Sequence, residues 1–130
     1  MSEQSHLADR PVVAVVDDEP EIGDIVRRAL KRNYRVETFE TAEEILKALE
    51  EGRRFAVVLC DLYMPERSGR QIYDEIATRW PEQASRVIFM SGISARGARG
   101  DLLSGVDNDM MEKPFRLKVL RQTVEKMAKS

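Results

Sequence analysis

The residues of this chain that could handle a phosphoryl group or a divalent cation all stand where an apolar run stops. Asp17 and Asp18 follow Val12-Val13-Ala14-Val15-Val16, Asp61 follows Phe55 through Cys60, Ser91 follows Arg86-Val87-Ile88-Phe89-Met90, and Lys113 follows Met110-Met111-Glu112. If the runs lie side by side, three carboxylates, a hydroxyl and an ammonium meet on one rim. Such carboxylates repel one another unless a divalent cation or a lysine compensates them. A hard, oxygen-seeking ion such as Mg2+ does so with few protein ligands and several waters. An aspartate beside Mg2+ can attack a phosphoryl group, because metal and lysine neutralise the equatorial oxygens while a hydroxyl donates one more hydrogen bond. Asp61, alone at its run's end and followed by a loop, is the best nucleophile of the three. Asp17 and Asp18 read better as metal holders.

The elements that must position these groups alternate strand and helix. The β-branched run ending at Asp17 is the pattern of a strand covered on both faces. After it Ile22, Ile25, Val26, Ala29 and Leu30 recur at helical spacing behind Pro20 and two acids suited to a first turn. A strand near Arg35 to Phe39 precedes a helix that Thr41 can cap with Glu44 returning the bond, burying Ala42, Ile45, Leu46 and Leu49. The third unit runs from Phe55 to Asp61, turns through Met64 to Gly69, and enters a helix with Ile72, Tyr73, Ile76, Ala77 and Trp80 inward, which Pro81 closes. A fourth strand over Arg86 to Met90 leads into a Gly- and Arg-rich stretch, Gly97 to Gly105, with only Leu102, Leu103 and Val106 as apolar support, so its helix should be short or irregular. A brief strand at Asp109 to Glu112 and a helix with Leu117, Leu120, Val124 and Met127 on one side complete the chain. Five such units imply an α/β fold, a five-stranded parallel sheet with helices on both faces, since parallel neighbours need right-handed crossovers. Ligands then sit beyond the C-terminal strand ends.

Composition sets the outer bounds. The 130 residues suffice for one domain, and no linker or repeat marks a second; residues 1–10 read as a flexible polar leader and 11–130 as the domain. The lone Cys60 excludes an internal disulfide framework, and no Cys/His cluster has zinc spacing. With neither a signal-peptide core nor a long apolar span, the expectation is a cytoplasmic protein without membrane insertion. Lys+Arg 21 against Asp+Glu 23 gives a formal charge of -2, so bulk charge offers no case for direct nucleic-acid binding.

The segments Val15-Val16-Asp17-Asp18-Glu19-Pro20, Leu59 to Pro65 with Ser68-Gly69, Phe89-Met90-Ser91-Gly92 and Glu112-Lys113-Pro114-Phe115 resemble the receiver domains of two-component response regulators, over about residues 11 to 128. The resemblance implies a flavodoxin-like, doubly wound (βα)5 fold with strand order 2-1-3-4-5. It also implies that Asp61 takes a phosphoryl group from a histidine kinase or histidine phosphotransfer protein. Mg2+ would be held by Asp17, Asp18, Asp61 and the backbone carbonyl of Tyr63. Ser91 would bond the phosphoryl oxygen, Lys113 would pair with it, and the Lys113-Pro114 peptide would be cis. A downstream effector protein, and a homodimer, belong to the same set of implied partners. The form of the Phe89 to Phe115 stretch is similar to receivers appended to hybrid histidine kinases, while Met1 and the polar leader favour a standalone chain.

Plainer readings stand beside these. Paired acids before a helix often serve only as caps and dipole partners, Lys113 alone reads as a surface lysine and Ser91 alone as a turn residue. Each gains weight from its strand-end placement. Cys60 points by alternation away from the side taken by Asp61 and reads as a small buried hydrophobe; His6 reads as part of the leader, and Arg96 and Arg99 as solvated. Met110 occupies the place where many receivers carry an aromatic residue that reports phosphorylation. A flexible thioether has neither ring nor hydroxyl, so the readout is expected to follow a less usual route.

A competing function is an Mg2+-dependent phosphatase or phosphotransferase working through an aspartyl phosphate. Such enzymes place nucleophile and acid two apart on one loop and need a substrate pocket, whereas here the acids are adjacent and the loops short, so the chain is read as a switch and not an enzyme. Tyr63 and Ile93 lie two positions after Asp61 and Ser91, where a polar side chain could orient an attacking water, and a slow self-dephosphorylation is expected. Replacing both by small polar residues should shorten the phosphoryl half-life measured by decay of labelled protein; a longer half-life would contradict this.

Overall fold

The computed structural model describes residues 10–92 and 102–130. Expectations placed on the leader before Arg10, on Ile93, on Arg96, and on Gly97 to Asp101 therefore lie outside the described residues. Five strands, β1 (Val12–Val16), β2 (Arg35–Phe39), β3 (Val57–Asp61), β4 (Val87–Ser91) and β5 (Met110–Glu112), form one sheet of order β2-β1-β3-β4-β5 with every neighbour pair parallel. This is the expected flavodoxin-like arrangement. Among the described residues the helices are α1 (Pro20–Leu30), α2 (Ala42–Glu50), α3 (Gly69–Arg79), the short α4 (Pro81–Ala84) and α5 (Leu117–Ala128). None is long and apolar enough to cross a membrane.

Alternation along the strands divides the interior into two cores. Ala14, Val16, Val58, Cys60 and Phe89 pack with Ile45, Leu49, Ile72 and Ile76 of α2 and α3. Val13, Val15, Val57, Leu59, Ile88 and Met90 pack with Val26 and Leu30 of α1 and Leu120 and Val124 of α5. The period of two in each strand is thus read by different helices on the two faces, which explains why β1 is apolar at every position and β3 at every position before Asp61.

Several local expectations are refined. Thr41 caps α2 through Glu44 N–H at 3.2 Å, but the Glu44 carboxylate accepts from Glu40 N–H at 2.8 Å, one residue ahead of the cap. A reciprocal capping box forms instead at α3, where Ser68 accepts from Gln71 N–H and the Gln71 amide oxygen accepts from Ser68 N–H. Pro81 does not simply close α3: Trp80 ends that helix and Pro81 opens α4, because a proline at the first helical position lacks only an N–H that would have no helical partner. Leu117 is 42% exposed rather than inward. Residues 102–105 form a turn and 106–109 are irregular, with Gly105 at φ +78° and Leu103 and Val106 buried.

One close approach sets the distance between α3 and the strand that carries Asp61. Gly69 N–H donates to Leu62 O at 2.9 Å, and a Cβ at Gly69 would lie 2.4 Å from Asp61 O and 2.9 Å from Leu62 Cα, both backbone atoms that cannot step aside. Gly69→Ala should therefore cost about 2 kcal/mol or more, as overpacking against fixed atoms does. Urea unfolding at constant m-value is the measurement, and a variant as stable as the parent would show that the loop yields freely.

Candidate functional site

Parity and register bring the acids together. The parity that turns Val13 and Val15 towards α1 and α5 continues to Asp17, and that of Val57 and Leu59 continues to Asp61. Val16 pairs with Cys60, so one further step sets Asp17 beside Asp61 at a spacing given by the sheet itself. Asp17, Asp18 and Asp61 each offer a carboxylate oxygen, and these lie within 4.8 Å of one another. Asp17 and Asp61 are 5% and 4% exposed, while Asp18 faces solvent.

The compensating charge arrives from the far edge of the sheet. Lys113, just after β5, donates from Nζ to Asp17 Oδ2 at 2.7 Å and lies 3.5 Å from Asp61 Oδ1 and 3.9 Å from Glu19 Oε1. Its backbone N–H donates to Ser91 O at 2.7 Å, and the Lys113-Pro114 peptide is cis. Ser91 follows Met90, the register partner of Asp61, and is fully buried. Two backbone amides also turn towards the acids: Glu19 N–H donates to Asp17 Oδ1 at 2.9 Å and Tyr63 N–H to Asp61 Oδ1 at 3.4 Å. The tightest pairing of Lys113 is with Asp17, not with Asp61.

These surroundings alter the acid chemistry. Burial, then the neighbouring Asp17 charge, pushes the Asp61 carboxyl up to about 6, against the opposing pull of Lys113 and the Tyr63 N–H. Burial draws the Lys113 ammonium down, but the bond to Asp17 and the charges of Asp61, Asp17 and Glu19 outweigh it and hold the group above its ordinary value. One ammonium cannot balance three carboxylates. The donor set, all hard oxygens with one exposed member open to water, suits Mg2+, held by few protein ligands. The structure thus brings Asp17, Asp18, Asp61 and Lys113 into one cluster and sets Ser91 at the adjoining strand end.

Glu19, within reach of Lys113, reads from sequence only as an acid suited to the first turn of α1. Its place directly after Asp17-Asp18 was the available signal. Cys60 lies in the opposite core and its thiol is pushed up by burial and then by the charges of Asp61 and Asp17, so it stays protonated.

A family model described as the response regulator receiver domain matches residues 13–125. The hydrogenase transcriptional regulatory protein HoxA of Cupriavidus necator is 37% identical over 95 residues, which are 73% of this chain and 18% of that protein. A second HoxA, from Bradyrhizobium diazoefficiens, is covered over 23%, so the chain spans less than a quarter of either relative. The response regulator receiver protein CpdR of Brucella abortus is 26% identical over 88% of this chain and 94% of its own. Among solved structures, the BeF3-activated DrrB receiver domain superposes with a TM-score of 0.77 at 30% identity, over 93% of this chain and 99% of that one. The response regulator TrrA of Thermotoga maritima, in complex with Mg2+ and BeF, gives 0.77 at 30% over 90% and 98%.

The raised Asp61 value carries a sign. From the ordinary 3.8 up to about 6 the folded chain holds a proton at Asp61 that the unfolded chain has released, so stability falls as pH rises through that window and the loss is complete above it. Asp61→Asn should therefore stabilise the metal-free protein at about pH 7.5 by roughly 1–3 kcal/mol, with the gain fading towards pH 4. Denaturant unfolding in a chelator measures it; no gain at neutral pH, or a gain that grows in acid, would contradict the assignment.

Proposed function

The chain belongs to the response regulator receiver domain family, and on that premise we propose that Asp61 is the phosphoacceptor through which it switches between two partner-binding states. Receivers of this family signal with histidine kinases and downstream effectors rather than turning over a substrate pool. The observation that carries the assignment is the position of Asp61: a buried carboxylate ending β3, with Asp17 and Asp18 oxygens within 4.8 Å and Lys113 Nζ at 3.5 Å.

The donor in this reading is a phosphohistidine on a kinase or phosphotransfer protein. An Asp61 oxygen attacks phosphorus, the P–N bond breaks, and the imidazole leaves with the electron pair and takes up a proton. Asp17, Asp18, Asp61 and the Tyr63 carbonyl would hold Mg2+, which would supply charge neutralisation for the phosphoryl oxygens. Lys113, protonated and already oriented by Asp17, is placed to pair with the new phosphoryl group. Ser91, at the next strand end, donates a hydrogen bond to it. The TrrA structure, solved with Mg2+ and BeF, supports the same ion here.

The remaining parts of the reading are a domain over residues 11–130, a cytoplasmic setting, and an effector that distinguishes the phosphorylated from the free form. Intact-mass measurement after incubation with acetyl phosphate and Mg2+ is the test. The parent should gain one phosphoryl group and Asp61→Asn none, with the gain abolished by a chelator. A parent that stays unlabelled, or a variant that labels equally, removes the proposal, and multiple turnover of a small phosphate ester would point to an enzyme instead.

A further inference from the structure

Arg70 is the second residue of α3, directly after Gly69, the residue packed against the Asp61 carbonyl. Its guanidinium is used at two places. Nε donates to Asp74 Oδ1 at 2.9 Å, one turn along the same helix, which fixes the plane of the group. Nη1 then donates to two backbone carbonyls of a distant segment, Leu102 O at 3.0 Å and Ser104 O at 2.8 Å. The side chain is 29% exposed, so these charge-assisted bonds are partly shielded from water.

The segment it grips has little regular structure to hold it. A turn over residues 102–105 is followed by irregular chain to 109; Leu103 and Val106 insert into the α2/α3 core, and Val106 N–H donates to Leu103 O at 3.0 Å. At the rear, the Asn108 amide donates to Ala84 O and Val87 O, both at 2.9 Å, near the start of β4 and far from the acid cluster. At the front, Arg70 joins the segment to the first turn of α3. The rear clamp is therefore tied to the sheet's opposite end, and the front clamp to the loop that begins at Asp61. From Asn108 the chain passes directly into β5, whose Met110 packs partly buried against the same core.

We propose that Arg70 is a positioning residue that couples the loop after Asp61 to residues 102–106, so that a shift of Leu62 to Gly69 is passed to this segment and on to β5. The mechanical basis is that α3 cannot follow the loop without carrying a planar group bonded to two carbonyls at once. Gly69 leaves no slack between Asp61 and the helix start, and Asp74 leaves none in the guanidinium. The inference rests on Asp61 being the site that changes state.

Amide hydrogen exchange over residues 102–110 tests it, with the full chain free and loaded with beryllofluoride and Mg2+, for the parent, Arg70→Met and Arg70→Lys. In the parent, exchange in this segment should differ between the two states. In Arg70→Met it should be about tenfold faster in the free state, the factor expected for loss of a charge-assisted bond, and should no longer respond to loading. Arg70→Lys, which keeps the charge without the fork, should respond only in part. Acetyl phosphate labelling of Asp61 and exchange in Val12 to Val16 should match the parent in both variants.

An Arg70→Met protein that keeps the parent's loading response overturns the coupling, as does one whose β1 exchange accelerates equally, since the role is then general stability. A parent that labels at Asp61 yet shows no change in residues 102–110 also overturns the coupling alone. A parent that fails to label removes the phosphoacceptor reading and the coupling with it.

Discussion

Mutual repulsion among Asp17, Asp18 and Asp61 is the constraint around which this structure is arranged. Three carboxylate oxygens within 4.8 Å of one another face a single ammonium, and two of the carboxylates are removed from water. Burial first, and then the Asp17 charge, push the Asp61 carboxyl up, so the metal-free rim is unfavourable for its ionised form. The same oxygen donor set suits a divalent cation, which would offset that charge. The cost to folding and the capacity for chemistry are the same interaction seen without and with its counter-charge.

The rest of the fold tolerates that rim by being well satisfied elsewhere. Two apolar cores grip the sheet from both faces, and no buried side-chain polar atom among the described residues lacks a partner. The Gln83 side chain shows the pattern away from the site: buried beneath the sheet, it donates to Phe55 O at 3.0 Å and accepts from Phe55 N–H at 2.8 Å, closing off a strand entry that would otherwise leave polar backbone groups bare. Lys113 performs the complementary task at the rim. Its bond to Asp17 joins β5 to β1 across the sheet, so the lysine is oriented before any ligand arrives.

How far the sequence could be read depended on the range of the forces involved. The strands leading to Asp17 and Asp61 declared themselves through unbroken apolar runs, and α1, α2 and α5 through apolar periodicity. Boundaries set by hydrogen-bond geometry were harder. Trp80-Pro81 reads as a helix stop, yet serves as a junction between two helices, because proline is tolerated in a first turn as well as after a last one. Glu44 serves the preceding residue instead of the cap itself, a choice made by side-chain reach. The Ser68-x-x-Gln71 box carries its own sequence signature, a serine followed three residues later by a glutamine.

By itself the sequence determined the alternation of strand and helix, the identity of the chemically competent residues and the rim on which they would meet, because strand period and crossover handedness are local and chiral rules that need no coordinates. Tertiary structure alone decided which partner each group would take. Lys113 lies 96 residues from Asp17 and bonds it more closely than Asp61, and Arg70 reaches carbonyls 32 and 34 residues away. Such pairings depend on sheet register, on the close approach permitted by Gly69 and on burial that weakens competition from water. None of these is written into the spacing of residues along the chain.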